Sequence, residues 1–314
     1  MRRLLLAGIL LLVRASFAWA QQDPQFTQYM FNNLYYNPGF SGVEGVTKIT
    51  ALHRSQWLGY APTYGDGGAP TTQLITFTTP IYKLNSGFGS YIVHDNLANF
   101  NNLEAQASYA YHLGIKNSKL SFGVRAGIFS QTINTNFYRS VDPEGFENQG
   151  SLTQIKPDLA AGVFWRKEKF YVGTSFNHLT GGSFNFGKGI SNPLQTHGYF
   201  TAGYTHEVNF DLKFLFTTLV QSDFVKTTTN LSAIAYLKDT MWGGLSFRQG
   251  DAAILMFGYS FFKDKSMKLG YSLDYIIKNQ AAKQPTSHEF MLTYELPTSP
   301  GAGKKVVRTP RYRH

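Results

Sequence analysis

The strongest constraint on this chain is an alternation of apolar and polar residues that recurs between Val46 and Leu296, in segments of roughly ten residues. One such segment has apolar residues at Leu103, Ala105, Ala107, Tyr109, Tyr111 and Leu113. The residues between them are Glu104, Gln106, Ser108, Ala110 and His112. A period of two places these two sets on opposite faces of a β-strand. Because about ten tilted residues cross a bilayer as a barrel strand, the pattern predicts an all-β fold, a transmembrane antiparallel β-barrel.

The number of these segments predicts a barrel of about fourteen strands within residues 46–296. They lie near residues 46–54, 71–79, 87–94, 102–113, 118–131, 157–165, 169–177, 196–206, 211–221, 227–237, 240–247, 251–262, 266–275 and 287–296. Most connections alternate between short and long, although Arg248–Gly250 is short where a long one is due. This alternation is typical of outer-membrane barrels, in which an even strand number leaves both termini at the periplasmic, short-turn end.

Composition supports a membrane barrel over a water-soluble domain. The chain is 43% hydrophobic and 16% aromatic but only 15% charged, whereas soluble proteins carry about 25% charged residues. No stretch approaches the roughly 18 uninterrupted apolar residues of a helical span. The alternative is a soluble propeller or double sandwich, but its strands are usually about five to six residues long.

The first twenty residues have the features of a secretory signal peptide. Arg2-Arg3 precede an apolar core at Leu4–Val13, and Ala18-Trp19-Ala20 forms a cleavage site. We therefore expect the mature chain to begin at Gln21. The sequence contains no Cys, which excludes disulfides, thiolate metal sites and lipid attachment at a Cys.

The net charge of +10 comes mainly from the two ends of the chain. Three arginines lie in the signal peptide and five basic residues lie in the last fourteen residues, so the rest carries only +2. A nucleic-acid partner is therefore not indicated. We expect residues 297–314 to form a disordered periplasmic tail, with Lys304, Lys305 and Arg308 as candidate contacts to periplasmic components.

A short helix is predicted ahead of the first strand, in the segment 21–45. Asp23-Pro24 supply a cap and a first helical residue, and Asn37-Pro38-Gly39 end the apolar periodicity. We expect an amphipathic helix over Gln25–Tyr36 that either plugs the barrel or lies beneath it. Its candidate periplasmic contacts are Phe26, Tyr29 and Met30.

Two long connections carry aromatic residues that are candidates for binding a partner protein. The first carries Trp57, Tyr60 and Tyr64, and the second carries Phe137, Tyr138 and Phe146. Such residues form either an aromatic girdle at the membrane boundary or anchors of a docking surface. The girdle is favoured for Trp57, and docking is favoured for the second connection.

Catalytic and cofactor motifs are not evident, so we predict neither an enzyme nor a metal or cofactor site. The eight His form no H-E-x-x-H motif. Four segments begin a G-x-S-x-G pattern without its final Gly, at Ser175, Ser246, Ser260 and Ser272. An outer-membrane hydrolase would need an activated Ser, which the sequence does not reveal.

Two pairs of motifs resemble a known family. The first pair is DPQFTQYMFN at residues 23–32 and YNPGFSG at residues 36–42, and the second is RSQWLG at residues 54–59 and GAPTTQ at residues 68–73. These resemble the mature amino terminus and the R-x-Q-W-x-G and G-A-P-x-T-Q segments of the PorP/SprF family.

The resemblance implies an outer-membrane barrel of the type IX secretion system of Bacteroidota. It implies three kinds of partner: a secreted protein with a C-terminal sorting domain, periplasmic components of the machine, and its outer-membrane components. In some species the secreted protein is a gliding-motility adhesin. The lipid bilayer surrounds the barrel. A solute channel remains the main alternative, because a fourteen-stranded barrel can hold a water-filled lumen.

Overall fold

The computed structural model describes residues 23–60, 68–135, 150–186, 191–278 and 284–297, in which fourteen antiparallel strands form a closed barrel. The wall consists of β1 (Lys48–Ser55), β2 (Thr71–Ile81), β3 (Ser86–Leu97), β4 (Phe100–Ile115), β5 (Ser118–Asn134), β6 (Ser151–Lys167), β7 (Phe170–Asn177), β10 (His197–Glu207), β11 (Leu212–Ser222), β12 (Thr227–Leu237), β13 (Met241–Arg248), β14 (Ala252–Phe261), β15 (Met267–Ile276) and β16 (Thr286–Glu295). Each wall strand pairs with its neighbour, and β1 pairs with β16 to close the barrel. All fourteen predicted strands are confirmed.

The two faces of the wall have the polarity that lipid outside and polar groups inside require. On β4, Leu103, Tyr109 and Tyr111 are exposed, whereas Glu104 and Gln106 are buried. A water-soluble barrel would place these sets the other way round. Among the described residues, no helix is long and apolar enough to cross a membrane.

Two connections contain more strand than the sequence predicted. β6 begins at Ser151, not near Pro157, because its first residues continue the ladder with β5, as far as the pair Asn134 and Ser151. A separate hairpin of β8 (Ser183–Asn185) and β9 (Ser191–Pro193) lies within the predicted 178–195 loop. Such short pairings leave too weak a period-two pattern to be recognised in sequence.

The predicted helix over Gln25–Tyr36 is not observed as one element. The segment instead contains a 3₁₀ turn at Tyr29–Phe31 and one α-helical turn at Asn33–Tyr36, and a second 3₁₀ turn follows at Pro38–Phe40. Asn32 interrupts the helix with a non-helical φ of −132°. The segment is also buried on nearly all sides, so it has no polar face for water.

The connections define two ends of the barrel. The short-turn end holds the turns after β2, β4, β6, β10, β12 and β14, and the long-loop end holds the longer connections after β1, β5, β7 and β15. Three turns at the long-loop end are short exceptions, after β3 (residues 98–99), β11 (223–226) and β13 (249–251). In outer-membrane barrels the short-turn end faces the periplasm.

Candidate functional site: a filled lumen

Residues 23–46, here called the lumen segment, run inside the barrel from near the long-loop end to the start of β1. Most of its large side chains join one apolar cluster with wall residues, whereas Leu34, Phe40 and Val43 join a second. Phe26 packs edge-on against Tyr35 with ring centroids 5.1 Å apart, and Tyr35 lies 5.2 Å from Tyr91 of β3. Tyr36 lies 5.3 Å from Tyr199 of β10. Of the two predicted placements, plugging the barrel is the one observed.

Near the short-turn end, the lumen segment touches the backbone of the wall. The Asn37 side-chain amide donates to the carbonyl oxygens of Val163 (3.0 Å) and Thr174 (3.1 Å), on β6 and β7. A Cβ atom at Gly123 of β5 would overlap the backbone nitrogen of Gly39. Glycine in the wall is therefore what allows this close approach.

Further along the lumen, an acidic side chain holds two amides of the lumen segment. The Glu289 carboxylate on β16 accepts hydrogen bonds from the backbone N–H groups of Thr27 and Gln28, both at 2.8 Å. Arg54 of β1 pairs with Glu289 at 3.2 Å and with Asp274 of β15 at 2.8 Å. The wall strands alone do not build this arrangement, because the lumen segment supplies the two amides.

The Thr27 hydroxyl is the centre of this charged cluster. Its oxygen accepts hydrogen bonds from Arg54 (2.7 Å) and from Arg248 of β13 (3.1 Å), and its proton is donated to Asp274 at 2.9 Å. The two arginines and the two acids, Asp274 and Glu289, are each at most 2% exposed. Opposite charges balance in pairs, so the cluster tolerates burial and fixes Thr27 in one position.

A second polar cluster surrounds Asp23 near the long-loop end. Asp23 Oδ1 lies 3.0 Å from His178 Nε2 and 3.7 Å from His197 Nδ1, and Asp23 also accepts a hydrogen bond from the Tyr199 hydroxyl. The second nitrogen of His178 lies 3.0 Å from Asp158 Oδ2 on β6.

Electrostatics favours charged forms in this second cluster. Burial acts to raise the pKa of the Asp23 carboxyl, but the nearby His178 and His197 outweigh it and lower that pKa. Burial acts to lower the pKa of His178, but Asp23 and Asp158 raise it well above the ordinary histidine value. The two shifts have one physical cause, the attraction between His178 and Asp23 at a distance of 3.0 Å.

A cavity of about 260 Å³ adjoins Asp23 and His197. It lies between the start of the lumen segment, strands β3–β5 and the residues that follow β9. Its polar lining comprises Asp23, Asp95, Asn102, Glu104, Gln131, Asn192, Gln195 and His197. Side chains such as Phe100 and Phe129 complete its walls.

Of the residues predicted to bind a partner, Trp57 and Tyr60 are described and are half-buried. The backbone N–H of Trp57 donates to the Ser287 hydroxyl at 3.0 Å, and its indole packs against the apolar cluster of the lumen. Trp57 thus covers the lumen rather than pointing into lipid as the girdle interpretation expected. Tyr64, Phe137, Tyr138 and Phe146 lie outside the described residues, as do Lys304, Lys305 and Arg308 of the tail.

The predicted periplasmic contact through Phe26, Tyr29 and Met30 does not match the structure. All three side chains are buried within the lumen, where Tyr29 donates its hydroxyl to Thr217 O at 3.0 Å. They fill the barrel because the lumen segment runs through it, and they present no accessible surface to the periplasm.

Sequence reasoning missed the residues that fix the lumen segment. Thr27 and Arg54 lie inside the family-like motifs, so the motifs pointed to the right segments without showing that they meet. Asp274 and Glu289 occupy the polar faces of strands, which is a usable signal for lumen-facing charge. Arg248 and His178 fall just outside the predicted strands 240–247 and 169–177, so the alternation along those strands gave no signal for them.

Comparison with known families decides the identity of the chain. The family described as type IX secretion system membrane protein PorP/SprF matches residues 18–294. The chain belongs to the PorP/SprF family. With its closed barrel, this PorP/SprF protein is an outer-membrane component of the type IX secretion system, and family membership implies contact with other components of the system and with cargo. No curated protein matches the chain.

Several solved structures resemble the PorP/SprF barrel. A FadL homologue of Pseudomonas aeruginosa is 15% identical, with a TM-score of 0.44 over 89% of this chain and 96% of its own. The toluene transporter TbuX of Ralstonia pickettii is 11% identical, with a TM-score of 0.51 over 85% and 92%. The outer membrane protein Omp33 of Acinetobacter baumannii is 8% identical, with a TM-score of 0.45 over 82% and 100%. At such identities the similarity to TbuX shows the barrel fold alone.

Proposed function

We propose that this PorP/SprF barrel is a non-enzymatic component that assists secretion or cell-surface anchoring of a partner with a C-terminal sorting domain. The partner docks at the long-loop end, and the short-turn end and the tail at residues 297–314 link the barrel to periplasmic machinery. The single observation that carries this proposal is the filled lumen.

The lumen segment supports an interaction role over transport. It crosses the barrel from Asp23 to β1 and contacts β6, β7 and β15 as well as the charged cluster around Thr27. Since many of its side chains are fully buried, the space that a solute would need is occupied. The two ends of the barrel are then the surfaces at which this protein meets others.

Two of the serines in partial G-x-S-x-G patterns have structural partners. Ser175 donates its hydroxyl to Tyr36 O at 2.7 Å, and Ser246 donates to Leu231 O at 3.0 Å. Both lie within strands rather than on the sharp turn of a nucleophile elbow. Their bonding supports a non-enzymatic role.

The test uses the second long connection, which contains Phe137, Tyr138 and Phe146. Thr135 and Gly150 flank it and are joined by a backbone hydrogen bond of 2.8 Å, so a short Gly-Ser turn can replace residues 136–149 without changing strand pairing. A matched control replaces residues 187–190, which connect the β8–β9 hairpin.

The measurement identifies the proteins with sorting domains on the cell surface. The cells carry the variant as their only copy of the barrel gene. We expect gene deletion and the 136–149 replacement both to remove one such protein from the surface and from affinity-purified barrels, while the control retains it. Unchanged display after gene deletion overturns the proposed function. If the surface protein is lost after gene deletion but retained after the 136–149 replacement, the partner docks at another part of the barrel.

A further inference from the structure

Asp23, His178 and His197 bring three metal-ligating groups together within the barrel. Within the described ranges, they are the one group of three or more such residues whose ligand atoms all lie within 4.8 Å of one another. Asp23 Oδ1 lies 3.0 Å from His178 Nε2, and the near nitrogen of the His197 ring, Nδ1, lies 3.7 Å from the same oxygen. Tetrahedral zinc with bonds of about 2.0–2.1 Å holds its ligand atoms roughly 3.3 Å apart, and the distance between Asp23 Oδ1 and His178 Nε2 is close to this value.

His197 supplies a second and independent observation. Its Nδ1 lies 3.0 Å from the Gln195 carbonyl oxygen, to which it donates a proton. Its Nε2 is buried and has no hydrogen-bond partner among the described residues. A buried imidazole nitrogen with a free lone pair is costly unless something binds it, and a metal ion is a natural partner for such a nitrogen.

The surroundings of His178 match those of a metal-bound histidine. Its Nε2 faces Asp23, and its Nδ1 lies 3.0 Å from the Asp158 carboxylate. Metal-ligating histidines almost always donate their second N–H to a carboxylate, a carbonyl or a water, which fixes the ring orientation. The Asp158 carboxylate is available for this role because it lies on the opposite side of the ring from Asp23.

We propose that Asp23, His178 and His197 form a binding site for a divalent transition-metal ion of the zinc class. One carboxylate and two imidazoles are ligands that suit zinc, and the adjoining cavity of about 260 Å³ leaves room for water at a fourth position. In this site the ion takes the place of the His178 proton between His178 and Asp23. It joins the first described residue of the lumen segment to the ends of β7 and β10.

The experiment measures Zn²⁺ and Co²⁺ binding to the detergent-solubilised full-length barrel. We expect saturable Zn²⁺ binding by titration calorimetry at one ion per chain, and visible d–d absorption of bound Co²⁺. His197→Ala should abolish both signals. Asp158→Asn, which removes the second partner of His178, should weaken binding about 10- to 100-fold.

Controls separate this site from adventitious binding and from misfolding. The double variant His53→Ala/His94→Ala removes two outward-facing histidines of β1 and β3 and should bind Zn²⁺ like wild type. Heat-modifiable migration on gels reports whether each variant is a folded barrel. The proposal is overturned if wild type shows no saturable binding, or if folded His197→Ala binds as tightly as wild type. The proposal is also overturned if the His53→Ala/His94→Ala variant loses Zn²⁺ binding while His197→Ala retains it.

Discussion

At the scale of single residues, the Thr27 hydroxyl holds the most demanding position in the lumen. It bonds two buried arginines and one buried carboxylate, each of which loses a hydrogen-bond partner when the hydroxyl is removed. Thr27→Val should therefore destabilise the folded barrel by about 1.5–3 kcal/mol, the range for hydrogen bonds to charged groups. Urea unfolding in detergent micelles, followed by tryptophan fluorescence, measures the change.

Thr132→Val is the matched control for this substitution. The Thr132 hydroxyl bonds Thr153 on the exposed face of the wall, so its loss should change stability by about 0.5 kcal/mol or less. Equal effects of the two substitutions would contradict the assigned role of Thr27.

A second residue-scale prediction concerns Glu44, near the end of the lumen segment and just before β1. Burial acts to raise the pKa of its carboxyl, but Lys48 and Arg166 outweigh burial and lower that pKa to about 2. A carboxyl whose folded pKa lies below its unfolded value stabilises the fold fully above the unfolded pKa. That stabilisation is lost as pH falls towards the folded pKa.

The expected window for this loss is from about pH 4.5 down to about pH 2. Between these pH values, the free energy of unfolding of Glu44→Gln should fall by less than that of wild type. The measurement is the urea midpoint at several pH values for both proteins. Parallel pH profiles would show that Glu44 does not contribute.

At the scale of elements, the contact between the lumen segment and β5 depends on a missing side chain. Gly123→Ala would place a Cβ atom onto Gly39, so either the segment or the strand must move. We expect a destabilisation of about 1–3 kcal/mol, as for other overpacked sites. Gly114→Ala, on β4 with no atom near its added Cβ, should leave stability nearly unchanged. Thermal unfolding of the two variants in the same detergent compares them directly, and similar melting temperatures would refute the contact.

The elements also show what sequence reasoning can and cannot reach. The strands were predictable because their period of two and their length follow from the bilayer alone, as on β4 and β15. The conformation of residues 23–46 was not, because it is fixed by tertiary partners and not by local propensity. Arg54, Arg248, Asp274 and Glu289 come from four separate strands, and only the closed barrel brings them to Thr27.

At the scale of the whole molecule, the lumen segment determines whether the barrel conducts. We expect the wild-type protein in planar bilayers to show no steady current, because the segment fills the lumen. Deleting residues 23–36 while keeping residues 1–22 should give a conducting barrel of wide bore, since fourteen strands enclose a space that then fills with water. Single-channel recording measures both, with heat-modifiable migration confirming that the deleted protein is folded.

Steady wild-type current equal to that of the deletion would instead favour the solute channel. It would also remove the observation on which the proposed function depends. Current that appears only after deletion leaves the two ends of the barrel as its working surfaces.

The path of the lumen segment has a consequence for biogenesis. The segment starts near the long-loop end and leaves at the short-turn end, while the seam between β1 and β16 closes the wall around it. Side chains as large as Tyr29, Tyr35 and Tyr36 cannot be threaded through a finished cylinder of packed residues. We therefore expect the nascent chain to fold its wall around its own amino-terminal residues, with the β1–β16 seam closing last. The lumen segment would then serve as the template on which the wall assembles.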